Sequence, residues 1–184
     1  MWHEKIYHFK PDKEPSSGGN EIHSEFFVDI KDFPKALNIL YHVSPFFKDF
    51  VQVTELRPVA ADDIPLSPAF GRDVMSIHFT WKHDFDNVMR AVEVIKVVLK
   101  PFNFRVHWGK YFGNIEPDYL NKIYSEELDG LTSLIESYES ENKFMNCFVD
   151  KLLYHRQPEP YTKCKFTHKF EAQYEKIFGT NSQN

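Results

Sequence analysis

The segment V-M-S-I-H-F-T-W at Val74–Trp81 decides how the rest of the chain is read. Met75, Ile77, Phe79 and Trp81 fall on one side and Val74, Ser76, His78 and Thr80 on the other. This two-residue period marks a strand with one face on a core. Upstream, V-Q-V-T-E-L-R at Val51–Arg57 is a second strand, on which Glu55 and Arg57 share a face. Downstream, R-V-H-W-G-K at Arg105–Lys110 reads as a strand end, with Lys110 just past it. Each piece carries polar groups where a buried strand is ordinarily apolar. Together they lay Glu55, Arg57, His78, Thr80 and Lys110 toward one sheet face.

Outward from this centre the pattern alternates between strands and helices. E-I-H-S-E-F-F-V-D-I at Glu21–Ile30 is a strand. Asp32 then stands at a helix N-cap and Pro34 in the first turn, where a missing N–H costs little. The helix Phe33–Phe47, stopping near Pro45, is expected to bury Leu37, Leu40, Tyr41 and Ser44. Between Pro58 and Asp73 runs a long connection with three prolines and Gly71, and long ordered loops often carry function. After Val74–Trp81, Asp84 or Asp86 caps a helix in which Val88, Val92, Ile95 and Leu99 recur at three- and four-residue steps. Pro101 ends it, and Phe104–His107 is a short last strand.

The resulting order, β-α-β-β-α-β over residues 21–107, predicts an α+β fold. It is the split, ferredoxin-like arrangement, a sheet with both helices on one face. Val51–Arg57 and Val74–Trp81 are expected to pair as antiparallel neighbours. A helical segment follows: a short helix from Glu116-Pro117 to Tyr124, then Glu126–Tyr138, weakened by Gly130, then the apolar Phe144–Leu153. Residues 1–20 read as a loop-rich segment and 21–154 as the main domain. Residues 155–184 read as a polar tail, disordered at its end.

Composition narrows the function classes. A net charge of −5 with no basic run argues against nucleic-acid binding. Cys147 and Cys164 form no CxxC and read as reduced thiols. The nine histidines show no ligand spacing, so no metal site is expected. Ser16–Asn20 lacks the strand, the lysine and the helix that a phosphate loop needs. No GxSxG elbow marks a serine nucleophile. There is no signal core and no run of about 20 apolar residues, which points to a soluble, cytoplasmic protein. What remains is a carboxylate, a guanidinium, an imidazole, a hydroxyl and an amine on one sheet face. That set suits a small polyhydroxylated ligand, whose hydroxyls both donate and accept.

The stretches T-E-L-R-P-V-A-A-D-D, L-S-P-A-F-G-R-D, H-F-T-W and H-W-G-K resemble, in this order, the C-terminal substrate domain of flavin-dependent sugar oxidases. These are the vanillyl-alcohol-oxidase-type group that includes D-arabinono-1,4-lactone oxidases and alditol (xylitol) oxidases. The resemblance extends from W-H-E through P-S-S-G to N-K-F-M-N-C-F-V, about four-fifths of the chain.

It implies that Glu55, Arg57, His78, Thr80 and Lys110 bind the substrate, with Lys110, His78 and Arg57 catalytic. His107, Trp108 and Lys110 would face the FAD, and Lys110 would stabilise the reduced, anionic flavin. The chemistry implied is hydride transfer from a carbinol carbon to the flavin, with O2 then reduced to hydrogen peroxide. An alditol or aldonolactone is the implied substrate, and some members of the group associate with membranes. The FAD-binding N-terminal domain of such oxidases has no counterpart in these residues. The chain therefore reads as the substrate half of an oxidase, inactive alone and needing an FAD-binding domain in cis or trans. The competing expectation is a non-catalytic, ferredoxin-like interaction or sugar-binding module.

Overall fold

The computed structural model describes residues 20–138 and 145–154. The N-terminal loop-rich stretch, the polar tail, Cys164 and the side chain of Cys147 lie outside the described residues. Four strands, β1 (Glu21–Asp29), β2 (Val51–Val59), β3 (Val74–Lys82) and β4 (Arg105–Val106), form one sheet in the order β2-β3-β1-β4. Every pairing in it is antiparallel. The fold is α+β. The expected pairing of β2 with β3 is present, offset by a register shift between Val51 and Val53. Pro58 cannot donate to a ladder, which fits the edge position that β2 occupies.

Helices α1 (Phe33–Val43) and α2 (Phe85–Leu99) supply the core opposite the sheet's inner face. There Phe26 and Val28 of β1 meet Ile77, Phe79 and Trp81 of β3 and the Val88, Val92, Ile95 and Leu99 stripe of α2. Burying each such side chain contributes about 1.5–3 kcal/mol. Trp81 is fully enclosed, and its Nε1–H donates to Ser24 Oγ at 2.7 Å. A buried indole needs such a partner. Asp84, not Asp86, caps α2, taking Asn87 Nδ2–H at 2.7 Å and the Asn87 backbone N–H at 3.4 Å.

Helix α1 corrects one expectation. Its buried residues are Ala36 and Leu40, with Phe33 and Val43 packed beside them, while Leu37 and Tyr41 are exposed. Positions 33, 36, 40 and 43 make the inward stripe, rotated by one residue step from the one expected. Pro45 forces the exit into a 3-10 turn at Ser44–Phe46.

After β4 the chain is helical: α3 (Pro117–Tyr138) and α4 (Cys147–Leu153). Helix α3 is two helices joined at a kink, Tyr124, where φ is −145° and ψ 30°. Gly130 lies inside the second of the two. Tyr124 is buried under the Arg105 guanidinium, 4.7 Å from its ring centre, and its hydroxyl donates to Ser67 O at 3.4 Å. Burial pushes its phenol far above the ordinary tyrosine range. Asn146 caps α4 by accepting from the Phe148 and Val149 amides. Among the described residues, no helix is long and apolar enough to cross a membrane.

Candidate active site

The strand registers align the outer face of the sheet in rows. Glu25, His78 and Glu55 face one another across β1, β3 and β2, and Phe27, Ser76 and Arg57 form the next row. His23, Thr80 and Val53 form the row on the other side. Cross-strand neighbours lie about 5 Å apart, so rows of polar residues become hydrogen-bonded networks. His78 Nδ1–H donates to Glu55 Oε2 at 2.7 Å, and the same oxygen takes Arg57 Nη2–H at 2.5 Å. Glu25 binds both the Ser76 hydroxyl and the Lys110 ammonium.

Lys110 reaches Glu25 because the chain beyond β4 keeps following β1. The His107 amide donates to Glu25 O at 3.1 Å and the Tyr111 amide to His23 O at 2.9 Å. Between them lies a tight turn in which Lys110 N–H donates to His107 O and Gly109 N–H to the His107 ring, each at 3.1 Å. A Cβ on Gly109 would stand 3.3 Å from the His107 imidazole. Glycine at 109 therefore lets the ring fold over the turn and aim Lys110 at the sheet.

Burial and charge tune the cluster. His78 is 6% exposed. Its burial, reinforced by the nearby Lys110 ammonium, holds the imidazole below its ordinary pKa despite the Glu55 carboxylate. The hydrogen bond from His78 and the charge of Arg57 hold Glu55 below the usual carboxylate range. Burial would raise Glu25, but the Lys110 ammonium and Ser76 hydroxyl outweigh it and hold Glu25 low as well. The result is a neutral imidazole between two anions and two cations. Such an imidazole can accept a hydroxyl proton, while the carboxylates accept and the cations donate hydrogen bonds.

The structure joins Glu55, Arg57 and His78 directly, and Lys110 through Glu25. Thr80 lies in the adjoining row, joined to the cluster by no hydrogen bond among the described residues. His107 sits in the turn beside Lys110. The Trp108 indole donates to Leu66 O at 2.9 Å and packs against Phe112 and Tyr124. With Arg105, which donates to Phe70 O at 2.6 Å and Pro68 O at 3.3 Å, it pins the β2–β3 loop. This loop covers the Phe27–Ala69–Val74 cluster at one end of the outer face. Sequence reasoning placed β1 as a strand but missed its polar face. Glu21, His23 and Glu25 alternate in E-I-H-S-E, the same signal that exposed Glu55 and Arg57. Among the described residues, no group of His, Cys, Asp and Glu could hold a metal ion.

The outer face of this α+β domain carries charged groups whose chemistry is compatible with hydroxyl ligands. Comparison with known proteins gives its lineage. The family model for D-arabinono-1,4-lactone oxidase matches residues 20–152. Alditol oxidase from Streptomyces sp. (strain IKD472 / FERM P-14339) is 33% identical over 152 residues, which is 83% of this chain and 36% of that protein. The chain belongs to the D-arabinono-1,4-lactone oxidase family, a family of FAD-linked sugar oxidases. It spans about a third of the length of the alditol oxidase it matches.

Proposed function

We propose that this chain is the substrate-side domain of an FAD-linked oxidase that acts on the CH–OH group of alditols or aldono-1,4-lactones and passes the electrons to O2. The observation that carries the reading is the row Glu55–His78–Glu25 with Arg57 and Lys110 at its flanks. Glu55 and Arg57 bind the polyol hydroxyls, and Thr80 lines the neighbouring row. His78 takes the proton of the reacting hydroxyl. The sheet order, with β3 inserted between β1 and β2, supports the split ferredoxin-like arrangement as the scaffold, and residues 21–154 as the domain.

The residues present fit a flavin. A reduced flavin is anionic, and Lys110 offers an ammonium, partly open to solvent, at the end of the polar face. Lys110, with His107 and Trp108 beside it, would hold the ring system. When bound, the flavin supplies the two-electron acceptor, so the protein's part is positioning and charge. Removing one such charge-stabilising group costs roughly 10²–10³ in rate.

Production of hydrogen peroxide tests the reading. The chain joined to a flavin-binding domain of the family, in cis or in trans, is expected to release peroxide from xylitol, sorbitol or an aldonolactone. A folded, flavin-loaded assembly that releases none from any of these sinks it.

A further inference from the structure

His78 keeps a second contact beyond Glu55. Its Nε2 lies 3.1 Å from His23 Nδ1, and His23 Nε2 lies 2.8 Å from Glu21 Oε1. The rings are within 7° of parallel with centres 5.2 Å apart. With a 3.1 Å nitrogen–nitrogen approach, that separation describes two rings meeting edge to edge. Along the line His78 is 8% exposed, His23 35% and Glu21 17%, so it opens to solvent at His23.

Counting donors shows what this line of groups can hold. An ionised carboxylate only accepts, so the contacts to Glu55 and Glu21 each require an N–H. The nitrogen–nitrogen contact requires one more. Three contacts therefore need three ring protons, one more than two neutral imidazoles carry. The line has a place for one extra proton, and the reacting hydroxyl is its source under the reading above.

We propose that His23 and Glu21 on β1 form a proton relay with His78, linking the buried floor of the polyol site to solvent. The inference rests on the proposed function. A substrate hydroxyl takes the place of Glu55 at His78 Nδ1, and with no carboxylate left there to hold an N–H the neutral ring carries its one proton on Nε2. Its O–H bond breaks and an N–H bond forms at Nδ1. The proton on His78 Nε2 passes to His23 Nδ1, and the proton on His23 Nε2 leaves to Glu21 and water. The electron pair would leave separately, as hydride from the carbinol carbon, with the flavin as the two-electron acceptor. The other charges around His78 come from the neighbouring elements: Glu25 on β1 and Lys110 beyond β4, with Arg57 on β2 acting on Glu55. Lys110 disfavours a lasting positive charge on His78, so the extra proton is passed on rather than kept. His23 is a positioning and relay residue, since it touches His78 and not the substrate.

Two readouts test this. In the 184-residue chain labelled with 15N-histidine, a 15N–15N coupling across the His23–His78 contact is expected once the pH is low enough to supply the third ring proton, and His23→Ala should abolish it. In the flavin-loaded protein, His23→Ala should slow polyol oxidation at least tenfold with KM little changed, and added imidazole should restore most of the rate. Glu21→Gln, a milder change at the far end of the line, should slow the reaction several-fold and alter its pH profile. Absence of the coupling at every pH at which the unsubstituted chain stays folded overturns the proposal. So does a rate loss in His23→Ala that imidazole leaves untouched, or wild-type rates and pH profiles in both variants. If His78→Ala abolishes oxidation while both β1 variants behave as wild type, the relay falls and the site reading stands. A protein that keeps the coupling but oxidises no polyol or lactone overturns the site reading, and the relay with it.

Discussion

Replacing Glu25 by glutamine removes one charge from the centre of the sheet's outer face and leaves its shape intact. Glu25 is 6% exposed and is bound by Ser76 and by Lys110, whose side chain is 23% exposed. Breaking a fully buried ion pair costs about 3–5 kcal/mol, and hydrogen bonds to charged groups are worth about 1.5–3 kcal/mol. Partial exposure of Lys110 and the retained amide oxygen lower the cost, so Glu25→Gln should destabilise the fold by about 2 kcal/mol. For a domain of this size that lowers Tm by about 5–8 °C.

Urea unfolding across pH gives the sharper test. The folded carboxylate lies below its reference value of 4.5. Its contribution is therefore complete above that value and lost as pH falls through the folded pKa. Wild type and variant should differ by the full amount at pH 7 and converge in acid. Adding Lys110→Met to Glu25→Gln should return part of the loss, since no unpaired ammonium remains. A variant within about 0.5 kcal/mol of wild type at pH 7, or a gap independent of pH, refutes the assignment.

Three further outcomes are expected. Lys110→Met in the flavin-loaded protein should slow flavin reduction roughly 100-fold with a smaller effect on folding, measured by anaerobic rapid mixing beside thermal unfolding; equal reduction rates remove Lys110 from the site. Trp108→Phe deletes the donor to Leu66 O and should raise amide hydrogen exchange across residues 62–70 by at least several-fold while β1 and β3 stay protected. His78 is held neutral by burial, so its share of stability should be present above the unfolded value of about 6.5 and fall as pH drops through it, a slope that His78→Gln should remove.

Much of this was legible in the chain because strands with one buried face advertise their period. Met75, Ile77, Phe79 and Trp81 fixed both the inward face of β3 and, by difference, the outward position of His78. Proline and aspartate punctuation located α1 and α2 to within a few residues. The rotation of α1 was misjudged because Leu37 and Tyr41 are as apolar as the residues that are buried. Only the sheet against which a helix packs selects the stripe.

Half the candidate site was hidden for a related reason. Alternation assigns a residue to a face but says nothing about which strand lies beside it. Glu25 meets His78 because β3 is inserted between β1 and β2, and Lys110 meets Glu25 across a separation of 85 residues. The E-I-H-S-E alternation was visible, yet its importance depends on that neighbour relation. Trp108 adds a contact of the same kind: two residues before Lys110 in sequence, its indole also pegs the β2–β3 loop.

The central claim is that the Glu55–His78 row of the sheet receives a polyol opposite a flavin. Anaerobic bleaching of the flavin by increasing xylitol or aldonolactone, in the wild-type assembly and in Glu55→Gln, tests it most directly. Wild type should bleach with saturation, and Glu55→Gln should need at least tenfold more substrate to reach half its maximal rate. No bleaching by any of these substrates, or saturation at the same concentration in both proteins, contradicts the account.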